Sequence, residues 1–167
     1  MQNYIITDAM NPAMSGAGAL VVFFAGGGLA YSLFKMYFEE LGLSIRDWSS
    51  LFQEMNEDPG TKILMEMAEH NLVIGFIMVK IDALSNWFFE EKIGFIREFW
   101  IDPAFRNQGY GKALLQRAEV YFVENEIFKS ILTTDTAPDF YKKSGYKQDT
   151  SYTAKNKDDV YTKLLKQ

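Results

Sequence analysis

The sequence predicts one domain of the α/β (α+β) class, a mixed and mostly antiparallel central sheet with helices on both faces. Three observations predict it. The apolar segments read in the order β-α-α-β-β-β-α-β-α-β-β, which brings helices to both faces of one sheet. At residues 98–115 an apolar, aromatic run ends at Asp102-Pro103, a glycine-punctuated loop follows, and a helical pattern begins. The balance of 48% hydrophobic against 23% charged residues in a chain of 167 suits a single packed core rather than disorder.

Each element has its own signal. Residues 4–7 (Tyr-Ile-Ile-Thr) read as a first strand, and residues 19–24 as a strand or the start of a helix. Residues 29–41 read as a helix with Leu33, Met36, Tyr37 and Leu41 on one side, stopped by Gly42. Ser44 is placed to cap a second helix, with Asp47 three residues on as a shorter relative of the capping-box glutamate. That helix runs to about Met55, and Asp58-Pro59-Gly60 closes it. Residues 62–69 and 73–81 read as a β-hairpin turning at His70-Asn71. Residues 85–92 read as a polar and aromatic loop before a central strand at 93–101, whose apolar residues lie on both faces. After the loop at 102–111, Leu114, Leu115, Ala118, Tyr121 and Phe122 fall on one face of a long helix. A strand at 129–134 follows, then a short helix around 138–144 ended by Gly145. Strands at 148–154 and 160–165 close the chain around the polar turn 155–159.

Arg106-Asn107-Gln108-Gly109-Tyr110-Gly111 carries the chemistry. A strand, a glycine loop and a helix start gather backbone N–H groups at the positive end of a helix dipole, an arrangement suited to a phosphate or pyrophosphate. Gly109 and Gly111 allow close approach to a ligand, and Arg106 and Lys112 flank the amides with charge. A Walker loop needs Ser or Thr after Gly-Lys, but Ala113 follows Lys112. A dinucleotide fingerprint needs Gly or Ala three residues after its second glycine, and Leu114 stands there.

Composition narrows the classes further. A net charge of −5 and a pI near 4.9 argue against a broad nucleic-acid surface, and an acidic surface around a pocket favours a cationic amine. With no cysteine, disulfides, thiolate metal sites and cysteine nucleophiles are excluded. The single histidine, His70, leaves no zinc cluster and no Ser-His-Asp triad, so no metal is expected. A cytoplasmic enzyme fits these limits. The uncharged stretch 9–34 is diluted by Gly16, Gly18 and Gly26-Gly27-Gly28 and lacks the basic start of a signal peptide. It reads as buried or partner-covered structure rather than a membrane span.

Arg106-x-x-Gly109-x-Gly111, preceded by the strand and turn Phe99-Trp100-Ile101-Asp102-Pro103, resembles the acetyl-CoA signature of the GNAT superfamily of N-acetyltransferases. A second block, Thr136-Ala137-Pro138-Asp139-Phe140-Tyr141-Lys142-Lys143-Ser144-Gly145-Tyr146, resembles that family's Ala-x-x-Phe-Tyr-x-x-x-Gly-Phe/Tyr segment at the expected separation. The resemblance covers about residues 29–165 and implies a GNAT-like acyl-CoA N-acyltransferase fold.

It also implies site residues. Acetyl-CoA would set its pyrophosphate on the amides of Arg106, Asn107, Gln108, Gly109, Tyr110, Gly111 and Lys112. Its pantetheine would lie along the strand edge at Phe99, Trp100 and Ile101, where two parallel strands splay. Thr134 stands where the family often has an Asn that contacts the cofactor. Tyr141 matches the tyrosine that acts as general acid to the departing thiolate, and Glu98 is the candidate general base, directly or through a water. Trp87, Phe88 and Phe89, and one or two of Tyr31, Phe34 and Tyr37, could line the acceptor pocket, while Glu39-Glu40 reads as a solvated helix end. Tyr146 reads as core.

The expected function is N-acetyl transfer from acetyl-CoA to a primary amine of a small molecule or protein, by direct attack through a tetrahedral intermediate. No metal, nucleic acid or membrane is expected, and the resemblance is compatible with a homodimer. The alternatives are a catalytically inactive acyl-CoA-binding sensor or interaction protein of the same fold and, on the incomplete fingerprint, a Rossmann-type oxidoreductase.

Overall fold

The computed structural model describes residues 19–21, 29–58, 60–68 and 72–166. The strands are β1 (Ala19–Val21), β2 (Thr61–Met67), β3 (Val73–Ser85), β4 (Glu90–Ile101), β5 (Lys129–Thr134), β6 (Lys147–Gln148) and β7 (Asp159–Leu164). The helices are α1 (Leu29–Glu40), α2 (Trp48–Glu57), α3 (Tyr110–Glu124) and α4 (Pro138–Lys143). One sheet takes the strands in the order β1-β2-β3-β4-β5-β7-β6. Every pairing is antiparallel except β4 with β5. The expected class is therefore observed, and from α1 onward the element order is the expected one. No described helix is long and apolar enough to cross a membrane.

The sheet buries a different core on each face. Alternation along β3 sends Phe76 and Met78 to one side, where Leu33 and Phe34 of α1 meet them, and Ile77 and Val79 to the other. Phe34 stacks on Phe76 with ring centroids 4.3 Å apart. The opposite face packs under α3, whose buried residues Leu114, Leu115, Ala118 and Phe122 follow helical spacing. Each large apolar side chain of this kind contributes about 1.5–3 kcal/mol when fully buried.

Several boundaries differ from the sequence reading. The first described strand is Ala19–Val21, while residues 4–7 and His70-Asn71 lie outside the described residues. Asp47, not Ser44, caps α2: its Oδ1 accepts from the Ser50 N–H at 3.0 Å. At the end of α1, Gly42 takes φ +69° while its N–H donates to Glu39 O and that of Leu43 to Phe38 O. β3 and β4 run on through most of the expected loop, leaving only residues 86–89 as the turn. The expected strand at 148–154 stops at Gln148. Asp149 accepts from the Ser151 N–H (3.1 Å) and the Thr162 hydroxyl (3.0 Å), which turns the backbone out of the ladder.

Away from the loop, α3 is tied to the sheet by Lys163 of β7, whose Nζ donates to Glu119 at 2.7 Å, and by a more deeply buried pair. Glu66 of β2 is fully buried, and its Oε2 accepts from Arg117 of α3. Burial pushes the Glu66 carboxyl up, against the opposing pull of Arg117. Removing the arginine would strand that charge. Arg117→Ala is expected to cost about 3 kcal/mol of stability, and Glu66→Leu/Arg117→Leu to recover most of it. Urea midpoints of the three proteins check this, and a loss below about 1 kcal/mol in Arg117→Ala would mean that water solvates Glu66 there.

Candidate active site

An extra residue in β4 aims Glu98. Met78 of β3 faces Glu98, but the next residue, Val79, faces Ile96, so Arg97 bulges out of the ladder. The bulge reverses the parity of the strand. Ile96 lies in the core under α3, whereas Trp100 lies in the core under α1. Glu98, on the α1 side with Trp100, accepts a short hydrogen bond from the Tyr37 hydroxyl of α1. Burial raises the Glu98 pKa above the ordinary carboxylate value, and the Tyr37 hydrogen bond and the Arg97 charge pull it back. The Tyr37 phenol is itself pushed up by burial and then by its bond to Glu98.

Just beyond the bulge the sheet opens. β4 and β5 pair only through residues 94–96 and 130–132, although β4 continues to Ile101 and β5 to Thr134. β5 stays paired with β7 to its end, so β4 and β5 part. Among the described residues, the β5-facing backbone groups of β4 past Ile96 have no strand partner. Phe99 and the helix α4 line the gap: Phe99 lies 5.6 Å from the Phe140 ring and 6.5 Å from the Tyr141 ring. Tyr141 is 7% exposed, and its phenol is held well above the usual range by burial and then by the charge of Glu98. Thr134 is buried, and its Oγ1 accepts from the Ala137 N–H at 3.1 Å. That bond holds the turn into α4, while the hydroxyl proton stays available to another acceptor.

The glycine loop closes the same end of the sheet. Asp102 caps a 3₁₀ turn over Pro103–Phe105, then Asn107 (φ +62°) and Gly109 (φ +92°) take left-handed conformations. The Asn107 turn was invisible in the motif, although Asn tolerates this region better than most residues. Gly109 is the N-cap of α3, which has no side-chain cap and no acidic residue in its first turn. The first bond of the helix runs from Ala113 N–H to Gly109 O, so the preceding amides face outward. A Cβ on Gly111 would meet Phe140 and Ile101 at 3.6–3.7 Å, which places the loop directly against the gap.

The loop's side chains depart from expectation. Arg106 was expected to add charge to the phosphate site. Its Nε donates to Ile101 O at 2.8 Å and its NH2 to both Glu40 oxygens at 2.7–2.8 Å. Glu40, which also accepts from Trp100 Nε1 at 2.7 Å, sits at the C-terminal end of α1, where the dipole disfavours a carboxylate and a cation is drawn in. The Arg106 and Trp100 bonds hold its carboxyl below the usual value. Glu40 thus buttresses the loop rather than ending a helix in solvent, and only Glu39, paired with Lys35 at 3.8 Å, fits that description. Gln108 folds back onto Ala104 O, and Tyr110 packs edge-on against Phe105. Lys112 is exposed in the first turn of α3, a cation beside the amides.

Other expected acceptor residues separate. Phe34 is buried, and Tyr31 packs on Trp48 with centroids 5.1 Å apart; Tyr37 alone of the three reaches Glu98. Trp87, Phe88 and Phe89 occupy the turn before β4, at the strand end opposite Glu98 and Ile101. Twelve residues of strand separate that turn from the loop, roughly 36 Å at the usual rise, so these rings do not line this site. Tyr146 is core as expected, donating to Ser130 Oγ at 2.9 Å.

Comparison with known proteins decides the family. The model of the Acetyltransferase (GNAT) family matches residues 29–146, well over half of the chain. The chain belongs to the GNAT acetyltransferase family. It is an acyltransferase by that membership, and members use acetyl-CoA or another acyl-CoA as co-substrate. No curated protein matches the chain. A GNAT-family acetyltransferase from Staphylococcus aureus Mu50 superposes with a TM-score of 0.63 at 18% identity, covering 89% of this chain and 100% of that one. The aminoglycoside acetyltransferase meta-AAC0020 from a soil metagenomic sample, solved with trehalose, gives 0.58 at 20% identity over 74% and 83%. Arabidopsis thaliana NAA60 with a bisubstrate analogue gives 0.59 at 15% identity over 81% and 95%. At these identities the likeness concerns the fold.

Proposed function

We propose that residues 1–167 form one cytoplasmic N-acetyltransferase domain that moves the acetyl group of acetyl-CoA to a primary amine, with a small cationic amine as the acceptor class. The observation that carries this reading is the parting of β4 and β5, which leaves Phe99, with the Tyr141 ring 6.5 Å from its own, at an opening beside the uncapped start of α3. The net charge of −5 supports a cationic acceptor.

Acetyl-CoA fits the groups present. The amides of residues 108–112 and the Lys112 ammonium would receive its pyrophosphate, with the Arg106 side chain serving the loop's shape instead. The β4 edge at Phe99, Trp100 and Ile101 would hold the pantetheine arm, and an unpaired N–H there would receive the developing oxyanion. Glu98, ionised, takes a proton from the incoming ammonium, directly or through a water. The neutral amine forms its C–N bond at the acetyl carbon, the C–S bond then breaks, and Tyr141 hands its proton to the sulfur. The proton shed by nitrogen restores the phenol through solvent.

Calorimetric titration with acetyl-CoA, with NADH as the comparison ligand, tests the reading, followed by thiol release across a panel of amines and peptide N-termini. Acetyl-CoA is expected to bind and NADH not. Gly109→Val forces a β-branched residue to φ +92° and is expected to weaken acetyl-CoA binding by tenfold or more, about 1.4 kcal/mol. Failure of acetyl-CoA to bind sinks the proposal, and binding without thiol release on any amine favours the sensor alternative.

A further inference from the structure

The hairpin of β3 and β4 outruns its neighbours. β2 pairs with β3 only as far as Lys80, and β5 with β4 only from Gly94 onward. Beyond these points, among the described residues, β3 and β4 pair with each other alone, Ser85 facing Glu90 at the end. The result is a two-stranded arm projecting from the sheet. Its turn carries Trp87 (99% exposed), Phe88 (94%) and Phe89 (57%), a concentration of aromatic surface on a projecting tip rather than in a groove.

Three features of the tip fit a lipid surface. Charge is graded along the arm: residues 83–89 carry none, and Asp82, Glu90, Glu91 and Lys92 form a charged collar behind them. The depth also fits. Interfacial segments sink about 5–10 Å into the headgroup boundary, and residues 87–89 stand one to three positions ahead of Glu90, about 3–10 Å at the usual strand rise. The turn's backbone is already satisfied. Asn86 Oδ1 accepts from the N–H groups of Phe88 (2.8 Å) and Phe89 (3.2 Å), and Asn86 N–H donates to Phe89 O (3.0 Å). Donors bonded within the turn can leave water at little cost, whereas free ones cannot. Tryptophan is itself enriched at membrane–water boundaries. Side chains on consecutive residues also leave the backbone in different directions, which suits a fluid layer on every side better than a groove on one.

We infer that the aromatic tip of the β3–β4 arm is a peripheral membrane contact, seated shallowly in the headgroup boundary of a zwitterionic bilayer. The collar decides the lipid. Three carboxylates and one ammonium at headgroup level, on a chain of net charge −5, disfavour an anionic surface. The expectation of no membrane concerned a spanning segment, and a shallow tip needs none. The contact stands apart from the acetyl-transfer reading. The opening beside Phe99 lies at the other end of β4 and stays in water.

Tryptophan emission of the full chain with phosphatidylcholine vesicles tests it. The difference between wild type and Trp87→Phe isolates Trp87, because Trp100 is buried and Trp48 packs on Tyr31 and Phe52. The Trp87 emission should be that of an indole in water in the free protein. It should shift to the blue on adding vesicles and be quenched by brominated lipid. In co-sedimentation, Trp87→Ser/Phe88→Ser should lower partitioning tenfold or more. The thermal midpoint should stay unchanged, because both side chains are exposed. Adding phosphatidylserine at low salt should weaken binding of the wild type and strengthen that of Glu90→Lys/Glu91→Lys. No vesicle-induced shift of Trp87, partitioning that survives the double serine substitution, or wild-type binding that grows with phosphatidylserine would each overturn the inference. A Trp87 emission already blue-shifted without vesicles would overturn it too, because protein would then cover the tip.

Discussion

Tyr141→Phe is expected to lower turnover about 10²- to 10⁴-fold, the usual worth of a positioned general acid, and to leave acetyl-CoA affinity unchanged. The substitution is clean because the ring does the packing. Tyr141 meets Phe140, Tyr146 and Phe99 at centroid distances of 5.1, 5.7 and 6.5 Å, and phenylalanine keeps each contact. Only the hydroxyl is lost. Burial and the Glu98 charge both hold that phenol protonated throughout the neutral range, so it can serve as an acid and not as a base. The price of a high pKa is reluctance to give the proton up fully. Its contribution is then greatest as a hydrogen bond to sulfur while the C–S bond breaks, which is where a thiolate, of ordinary pKa near 8.5, needs it. Thiol release under saturating acetyl-CoA measures turnover, and calorimetry measures affinity. Wild-type turnover in Tyr141→Phe would remove Tyr141 from the mechanism. Loss of affinity instead would make it a wall of the cofactor site.

What could be read from the sequence was local. Helix α3 announced itself by spacing, and four of its five expected face residues are buried. The glycine loop was legible because a left-handed N-cap at Gly109 and an uncapped first turn are properties of a few consecutive residues. The illegible parts depend on residues far apart in the chain. Arg106 looks like a phosphate ligand beside Gly109, until α1 brings Glu40, 66 positions earlier, within 2.7 Å of its guanidinium. Tyr37 could be placed on a helix face but not against Glu98, 61 positions away. The bulge at Arg97 is harder still. One extra residue in an apolar strand leaves no compositional trace, yet it decides which face Glu98 occupies. The aromatic turn at Trp87 misled for the opposite reason: three large rings suggest a pocket wall, whereas the strands simply continue past the expected loop and carry them away from the site.

The bulge and the Tyr37 bond together predict a pH dependence with a definite sign. A general base must be ionised, so kcat/KM should fall as pH drops through the Glu98 pKa. Burial sets that pKa above the ordinary carboxylate value, and the hydrogen bond from Tyr37 moderates the rise by stabilising the charged form. In Tyr37→Phe the ring packing against Phe76 survives but the donor is gone. The Glu98 pKa should rise, and the acidic limb should move to higher pH with the alkaline plateau largely kept. Glu98→Gln can still accept from Tyr37 but takes no proton. It should lose the limb altogether and about 10²- to 10⁴-fold in turnover. An acceptor amine of high intrinsic pKa stays an ammonium throughout this window, so its own ionisation does not enter it. With such an amine, an unmoved limb in Tyr37→Phe would show that the short hydrogen bond does not tune the base. A limb that persists in Glu98→Gln would belong to some other group, and Glu98 would then be a structural partner of α1. The two variants answer separate questions because one changes how readily the carboxyl ionises and the other whether it can ionise at all.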